Sequence, residues 1–271
     1  MKNKLAAIYN VFDCEELLQE SIDRIRREVD LVIVVYQKIS NFGINHKIDI
    51  EKYLKTLNGI DIISLYEPNF NLPPWKNEIS KRVSGCRIAL LNECTHFLHI
   101  DCDEMYDSDL FTKAKHIIYE KNCDSSACSI IDYYKFSNLQ VIESSKSFVP
   151  FIHKLTKDVT TFGLELKYPV SVDNTRKTNP TNSFFMFNEN ELVMNHYSWI
   201  RNDIRIKLLN STARHSYDFF IEILVNEFDN FQINDKLVKL ETGLLVPLSL
   251  LQKINIPYTY INVKTKLLGD K

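Results

Sequence analysis

An α/β fold, with a mixed and mostly parallel sheet flanked by helices, is predicted for this 271-residue chain by three observations. Apolar, β-branched runs alternate with amphipathic helical stretches through the first half, the order that builds parallel sheets from βα units. One run, "DLVIVVY" (30–36), is apolar without a break, as a strand covered on both faces must be. The fourth run ends in "FLHIDCDEMY" (97–106), placing acids at the carboxyl end of a strand, where open α/β sheets bind ligands.

The elements follow in order. "KLAAIYNV" (4–11) reads as the first strand. Residues 14–29 read as a helix with Leu17, Leu18, Ile22 and Ile25 on one face and Asp13 placed to cap it. After the strand at 30–36, a weaker helix, "DIEKYLKTL", leads to a strand at 59–66. Beyond the turn signal "NLPPW" a helix runs from about Lys76 to Asn92, with Ile79, Val83, Cys86 and Leu90 as its buried stripe. "THFLHI" is the next strand, "DLFTKAKHIIYEK" the next helix and "SACSIIDYYKF" the strand after it.

From about residue 140 the pattern changes. A polar loop, "YPVSVDNTRKTNPTNSF", precedes "NELVMNHYSWIRND" and a long helix over 203–228 with interruptions. The last 40 residues are apolar without clear periodicity. No repeat or linker is visible. The expected organisation is one compact domain over 1–230, divided at 133/134, with a helical C-terminal extension over 231–271.

Composition excludes several classes. Net charge is −2 and the charged fraction 25%, so the chain as a whole carries no basic footprint for nucleic acid, and no nucleic-acid partner is expected. No apolar run approaches the roughly 20 residues that span a bilayer. In "MKNKLAAIYNVFDCEE" an acidic cluster interrupts a short apolar run without a small-residue cleavage site, so it reads as a core strand and not as a signal peptide. The six cysteines are scattered, without CxxC pairs or zinc-finger spacing, which fits reduced, buried thiols and a cytoplasmic location. Six glycines leave no GxGxxG and no GxxxxGK[ST], so a bound nucleotide would not use either loop.

The acids of "IDCDE" then need a reason. If the strand continues through them, Asp101 and Asp103 point the same way, and Glu104 points away from both. Two carboxylates on one face raise each other's pKa unless a positive group lies between them, and a hard divalent cation is one solution. Helix capping explains Asp107 or Ser108 better than it explains acids five or more residues upstream.

The pieces "AIYNVFDCEELLQESI", "VDLVIVVYQ", "KNEISKRVSGCRIALLN" and "THFLHIDCDEMY", in this order, resemble GT-A glycosyltransferases, particularly the bacterial family 2-like enzymes of surface-polysaccharide synthesis. The resemblance covers residues 4 to 133 best. It implies a GT-A (Rossmann-like) fold with a nucleotide-sugar-binding half over 1–133 and an acceptor side over 134–230. It further implies a hexosyltransferase-like transfer from a UDP- or GDP-sugar to a carbohydrate acceptor, with Mn²⁺ or Mg²⁺ as cofactor. The setting would be cytoplasmic or at the inner face of the cytoplasmic membrane, with at most peripheral membrane association.

Residue by residue, the resemblance puts Asn10 and Asp13 at the nucleotide base and ribose. Tyr36 and Gln37 stand at the end of the second strand, where family members usually carry acids. Lys81 and Arg82 are placed to face the donor, against a bland reading as two solvated charges. Asp101 would contact the ribose or sugar and share the metal, and Asp103 would hold the metal that bridges the diphosphate. His196 matches the further metal ligand that such enzymes often take from the C-terminal half. Arg201 and Arg205, spaced i, i+4, would share a helix face and with Lys207 neutralise the leaving diphosphate. A general base for an inverting transfer would come from Asp173 or Asp132, with Glu165 and Glu191 as weaker options.

Two rivals stand beside this. A haloacid dehalogenase-type phosphotransferase also places DxD after an apolar strand, but Met105 and Tyr106 stand where its motif continues. A non-catalytic nucleotide-sugar-binding protein is the other.

Overall fold

The computed structural model describes residues 3–13, 15–143, 147–157, 165–179, 181–211, 214–240, 244–254 and 259–268. In chain order the elements are β1 (Leu5–Val11), α1 (Glu15–Ile25), β2 (Leu31–Tyr36), α2 (Ile50–Leu54), β3 (Ile62–Leu65), α3 (Pro74–Leu91), β4 (His96–Ile100), β5 (Glu104–Tyr106), α4 (Ser108–Lys121) and β6 (Ser125–Tyr134). There follow β7 (Leu139–Ile142), β8 (Phe148–Pro150), β9 (His153–Lys154), a 3₁₀ turn at Asn174–Arg176, β10 (Phe184–Met186) and β11 (Val193–Trp199). The chain continues through α5 (Ile204–Asn210), α6 (Ile221–Asn230), β12 (Leu237–Leu240), β13 (Leu245–Pro247), α7 (Leu248–Ile254), β14 (Tyr260–Asn262) and β15 (Lys264–Leu267).

The chain divides into two compact units: Met1–Ile130 with Ser147–Met194, and Ile131–Lys146 with Asn195–Lys271. These units part at 130/131, 146/147 and 194/195, and residues on both sides of 230 pack in one apolar core.

The first unit is built on a sheet ordered β3-β2-β1-β4-β9, in which β1 to β4 are mutually parallel and β9 is antiparallel to β4. All six residues of β2 are buried, as its unbroken apolar run requires. Leu18, Ile22 and Ile25 of α1 and Phe111, Ala114 and Ile118 of α4 cover one face with Tyr9, Val34 and Leu98. Val83, Cys86 and Ala89 of α3 cover the other with Ile8, Val35 and Phe97. Helix α3 lies very close to the sheet: a Cβ built on Gly85 would collide with Cγ2 of Ile8 and come 3.3 Å from Cγ2 of Val35. Only glycine admits this approach. The expected stripe on α3 is also broader than apolar spacing suggests, since Asn77, Lys81 and Arg82 are buried with it.

Asp107 caps α4, accepting from the amides of Asp109 (3.0 Å) and Leu110 (2.9 Å), and Asn122 closes the helix in the left-handed region at φ 50°. Asp107→Ala is expected to lower stability by about 1 kcal/mol, read as a shift in the urea midpoint with an unchanged m-value. An unchanged midpoint would mean that water replaces the cap without cost. The cap expected for α1 adjoins Cys14, which lies outside the described residues.

The second unit pairs β7 with the end of β6 (Asp132↔Val141, Tyr133↔Gln140) and with β15, and adds a separate antiparallel sheet ordered β13-β12-β14. Its core gathers Tyr134, Trp199, Phe228, Phe231, Leu237 and Val238. The helix expected over 203–228 is broken into α5, two 3₁₀ turns and α6. The extension expected to be helical over 231–271 carries β12, β13, β14 and β15 among its described residues, with α7 as its one described helix. Apolar runs without clear periodicity cannot distinguish a short buried strand from a helix. Among the described residues no helix is long and apolar enough to cross a membrane.

Candidate functional site

The carboxyl ends of β1, β2 and β4 bring the predicted residues of the first unit together. Asn10 lies two residues beyond Ile8, on the face that α3 covers, and its amide Nδ2 and Oδ1 are buried without a hydrogen-bond partner among the described residues. A buried amide without partners is costly, and such groups in native folds commonly await a water or a ligand.

Lys81 and Arg82 leave α3 toward these strand ends, and both are buried, at 4% and 1% exposure, so neither is a solvated charge. Lys81 Nζ donates to the Val11 carbonyl (2.8 Å) and to Gln37 Oε1 (2.9 Å), while Gln37 Nε2 donates to Asn41 Oδ1 (2.9 Å) and the Ile39 carbonyl (3.2 Å). Lys81 and Gln37 thus brace the end of β1 against the end of β2. Burial pushes the Lys81 ammonium down from 10.5 to about 8. Between these values the unfolded chain holds a proton that the folded chain has released, so stability rises with pH through this window. Below about 8 the cost of burying the charge is present in full. From pH 8 to 10.5 the protein is expected to gain about 3 kcal/mol relative to Lys81→Met. Parallel pH profiles of the denaturant midpoint for the two chains would refute this.

Strand β4 stops at Ile100, and residues 101–103 turn, with the Glu104 amide donating to the Asp101 carbonyl (3.1 Å). The alternation expected through Asp101 and Asp103 therefore does not exist. Its corollary fails as well, because Glu104 turns back toward Asp101 and accepts from the Asp101 amide at 3.1 Å. Arg176, presented by the 3₁₀ turn, grips Glu104 with both terminal nitrogens (3.0 Å to Oε2, 2.5 Å to Oε1) and also binds Asp101 Oδ2. Arg82 binds Glu78 at 2.9 Å and Asp101 at 3.3 Å. Thr175 Oγ1 donates to Glu78 Oε1 at 3.2 Å.

Asp173 caps the 3₁₀ turn, accepting from the Thr175 amide at 2.7 Å, and its charge acts on Arg82, Arg176 and Glu78. Burial alone would raise the Asp101 carboxyl, but Arg176 and Arg82 outweigh it and hold the group well below the carboxylate range. Glu78 goes the other way, raised by a burial that Arg82 only partly offsets. Two nitrogens of Arg82, Nε and Nη1, remain buried without a partner among the described residues.

A divalent ion at Asp101 would have to take this carboxylate from two buried guanidinium groups. Both guanidinium groups are fixed in place by Glu104 and Glu78, so a cation at Asp101 would lie against two buried positive charges that cannot withdraw. The donor set at Asp101 therefore does not fit a metal ligand. Among the described residues, no three His, Cys, Asp or Glu side chains gather as metal ligands would.

The second unit holds another cluster. His196 Nδ1 lies 2.7 Å from Asp132 Oδ1, and Lys239 Nζ lies 3.7 Å from Asp132 Oδ2 and 2.5 Å from Glu143 Oε1. Burial would raise the Asp132 carboxyl, but His196 and Lys239 bring it below its usual value. Beside them Tyr133 Oη donates to Asn195 Oδ1 at 3.0 Å, and the rings of Tyr133 and Tyr197 stack at 4.4 Å. Arg201 and Arg205 do not share a helix face, because α5 begins only at Ile204. Arg201 Nε donates to the Ser198 carbonyl, and Arg205 pairs with Glu222. Glu165 is exposed, and Glu191 accepts from the Asn188 amide in a turn.

Arg176, Glu104, Glu78 and Thr175 are not legible as site residues in the sequence. Arg176 is a lone arginine in an irregular polar loop, and only the tertiary fold carries it to β4.

No family model and no curated protein matches the chain. Among solved structures, TarS residues 1–349 of S. aureus superpose with a TM-score of 0.47 at 14% identity, covering 85% of this chain and 73% of that one. The same fragment in complex with UDP-GlcNAc gives 0.47 at 16%, over 85% and 74%. A mannose-1-phosphate geranyltransferase from Thermus thermophilus gives 0.34 at 13%, over 55% and 50%. Likeness at this level bears on neither substrate nor chemistry.

Proposed function

We propose that this chain is a GT-A glycosyltransferase that moves a sugar from a nucleoside-diphosphate donor, a UDP- or GDP-sugar, to a carbohydrate acceptor. The observation that carries the reading is the polar constellation at the carboxyl ends of β1 and β4: an unpartnered Asn10 amide beside an arginine-bound Asp101. Open parallel sheets bind nucleotides at this edge. In this reading the Asn10 amide and Asp13 receive the base and ribose, and Asp101, oriented by its arginines, accepts a hydrogen bond from a ribose or sugar hydroxyl. The guanidinium groups of Arg82 and Arg176 offset charge that develops on the leaving diphosphate. Asp173, whose charge acts on both arginines, is the candidate for the base that takes the acceptor's proton. A hexosyl donor, a role in surface polysaccharide synthesis and a cytoplasmic setting with at most peripheral membrane contact complete the proposal.

The phosphotransferase alternative needs Asp101 as a free nucleophile, and both of its oxygens face Arg82 or Arg176. A non-catalytic binding protein would share the binding step and lack turnover. The test is thermal shift with UDP, GDP and their sugar conjugates, followed by release of nucleoside diphosphate over time. A ligand at a hundred times its Kd adds about 2.7 kcal/mol, a rise of several degrees. No shift with any nucleotide would overturn the reading, and a shift without turnover would favour the binding protein.

A further inference from the structure

The ion pairs at the end of β4 bear on how such a site manages charge. Asp101 is held by Arg176 and Arg82, both of which are themselves buried, at 6% and 1% side-chain exposure. Neither arginine depends on Asp101 alone, since Glu104 fixes Arg176 through two hydrogen bonds and Glu78 fixes Arg82 at 2.9 Å. The guanidinium groups are therefore permanent parts of the fold, braced from behind by acids on β5 and α3. Arg82 also keeps two buried N–H-bearing nitrogens, Nε and Nη1, without a partner among the described residues, and the Asn10 amide is in the same condition. Buried donors without acceptors suit an anionic or hydroxyl oxygen.

We propose that Arg82 and Arg176 replace a divalent ion at Asp101, so that this chain binds a nucleoside diphosphate without metal. The proposal rests on the glycosyltransferase reading and departs from the metal dependence that a DxD leads one to expect. In this arrangement the positive charge beside Asp101 is covalently part of the chain. Binding then requires neither assembly of a metal site nor displacement of Arg176 from Glu104. A guanidinium fork also fixes direction in a way that a point charge does not.

The test titrates the full chain with UDP and with GDP by calorimetry, in EDTA and again in excess Mn²⁺. The expected result is that at least one nucleotide binds with Kd values in the two buffers agreeing within about threefold, a difference of under 0.7 kcal/mol. Mn²⁺ alone, followed by electron paramagnetic resonance of the free ion, should show no stoichiometric uptake. Arg82→Gln is expected to weaken the nucleotide by on the order of tenfold in both buffers. If that variant does not fold, the two wild-type measurements still decide. Nucleotide binding seen only with Mn²⁺, or Mn²⁺ bound one to one by the chain alone, overturns this inference and leaves the glycosyltransferase reading standing. Absence of nucleotide binding in both buffers overturns both.

Discussion

Arg176→Ala is expected to lower the unfolding free energy by about 3–5 kcal/mol, a fall in Tm on the order of 10 °C for a chain of this size. The physical reason is what the substitution leaves behind. Glu104, with its side chain 4% exposed, would lose two charge-assisted hydrogen bonds, and Asp101 would lose the nearer of its two guanidinium partners. A carboxylate of that burial has no water to turn to, so the cost is that of an unpaired buried charge and exceeds the value of a surface ion pair. Arg176→Lys keeps the charge and loses the two-pronged grip on Glu104, and should fall between the two. Glu104→Gln should cost less than Arg176→Ala, because Arg176 retains Asp101. A loss below about 1 kcal/mol for Arg176→Ala, the scale of an exposed pair, would show that the cluster is solvated.

Gly85→Val is the second large effect, at about 3 kcal/mol. The new side chain would meet Ile8 and Val35 on the two central strands of the sheet, where neither backbone can retreat. Helix propensity acts in the opposite direction, since glycine inside a helix is unfavourable by up to about 1 kcal/mol relative to alanine. Overpacking wins because the contact is with a central strand and not with the flexible end of a surface chain. Ile8→Ala should recover part of the loss in a double mutant, although alone it opens a cavity and destabilises. Simple additivity of the two substitutions in the denaturant midpoint would mean that α3 does not press on Ile8.

The first unit is legible because its residues obey local rules. The unbroken run of β2 is buried throughout, the apolar side of α1 is buried at Leu18, Ile22 and Ile25, and the Asp107 cap lies where the residue type says it should. The site is legible only in part. Asn10, Lys81, Arg82, Asp101 and Asp173 stand out as residue types in context, and the fold carries them all to one unit. Their partners are not visible in the same way. Strand alternation would turn Glu104 away, but that alternation ends at Ile100, and Lys81 with Gln37 forms an internal brace. In the second unit Asp132 and His196, expected in separate roles, form one pair, while Arg201 and Arg205 do not share the helix face their spacing suggests.

Through about residue 134 the sequence by itself determined the order of the main strands and helices, the parallel sheet and the position of the acids at its carboxyl edge. Periodicity and capping are properties of neighbouring residues, so a single chain displays them. Tertiary structure alone decided what the acids face. Arg176 lies 75 positions from Asp101, and no local pattern records that a polar loop will return to place a guanidinium there. Charge compensation in a buried site is set by which distant segments meet, and here they meet as arginine and carboxylate.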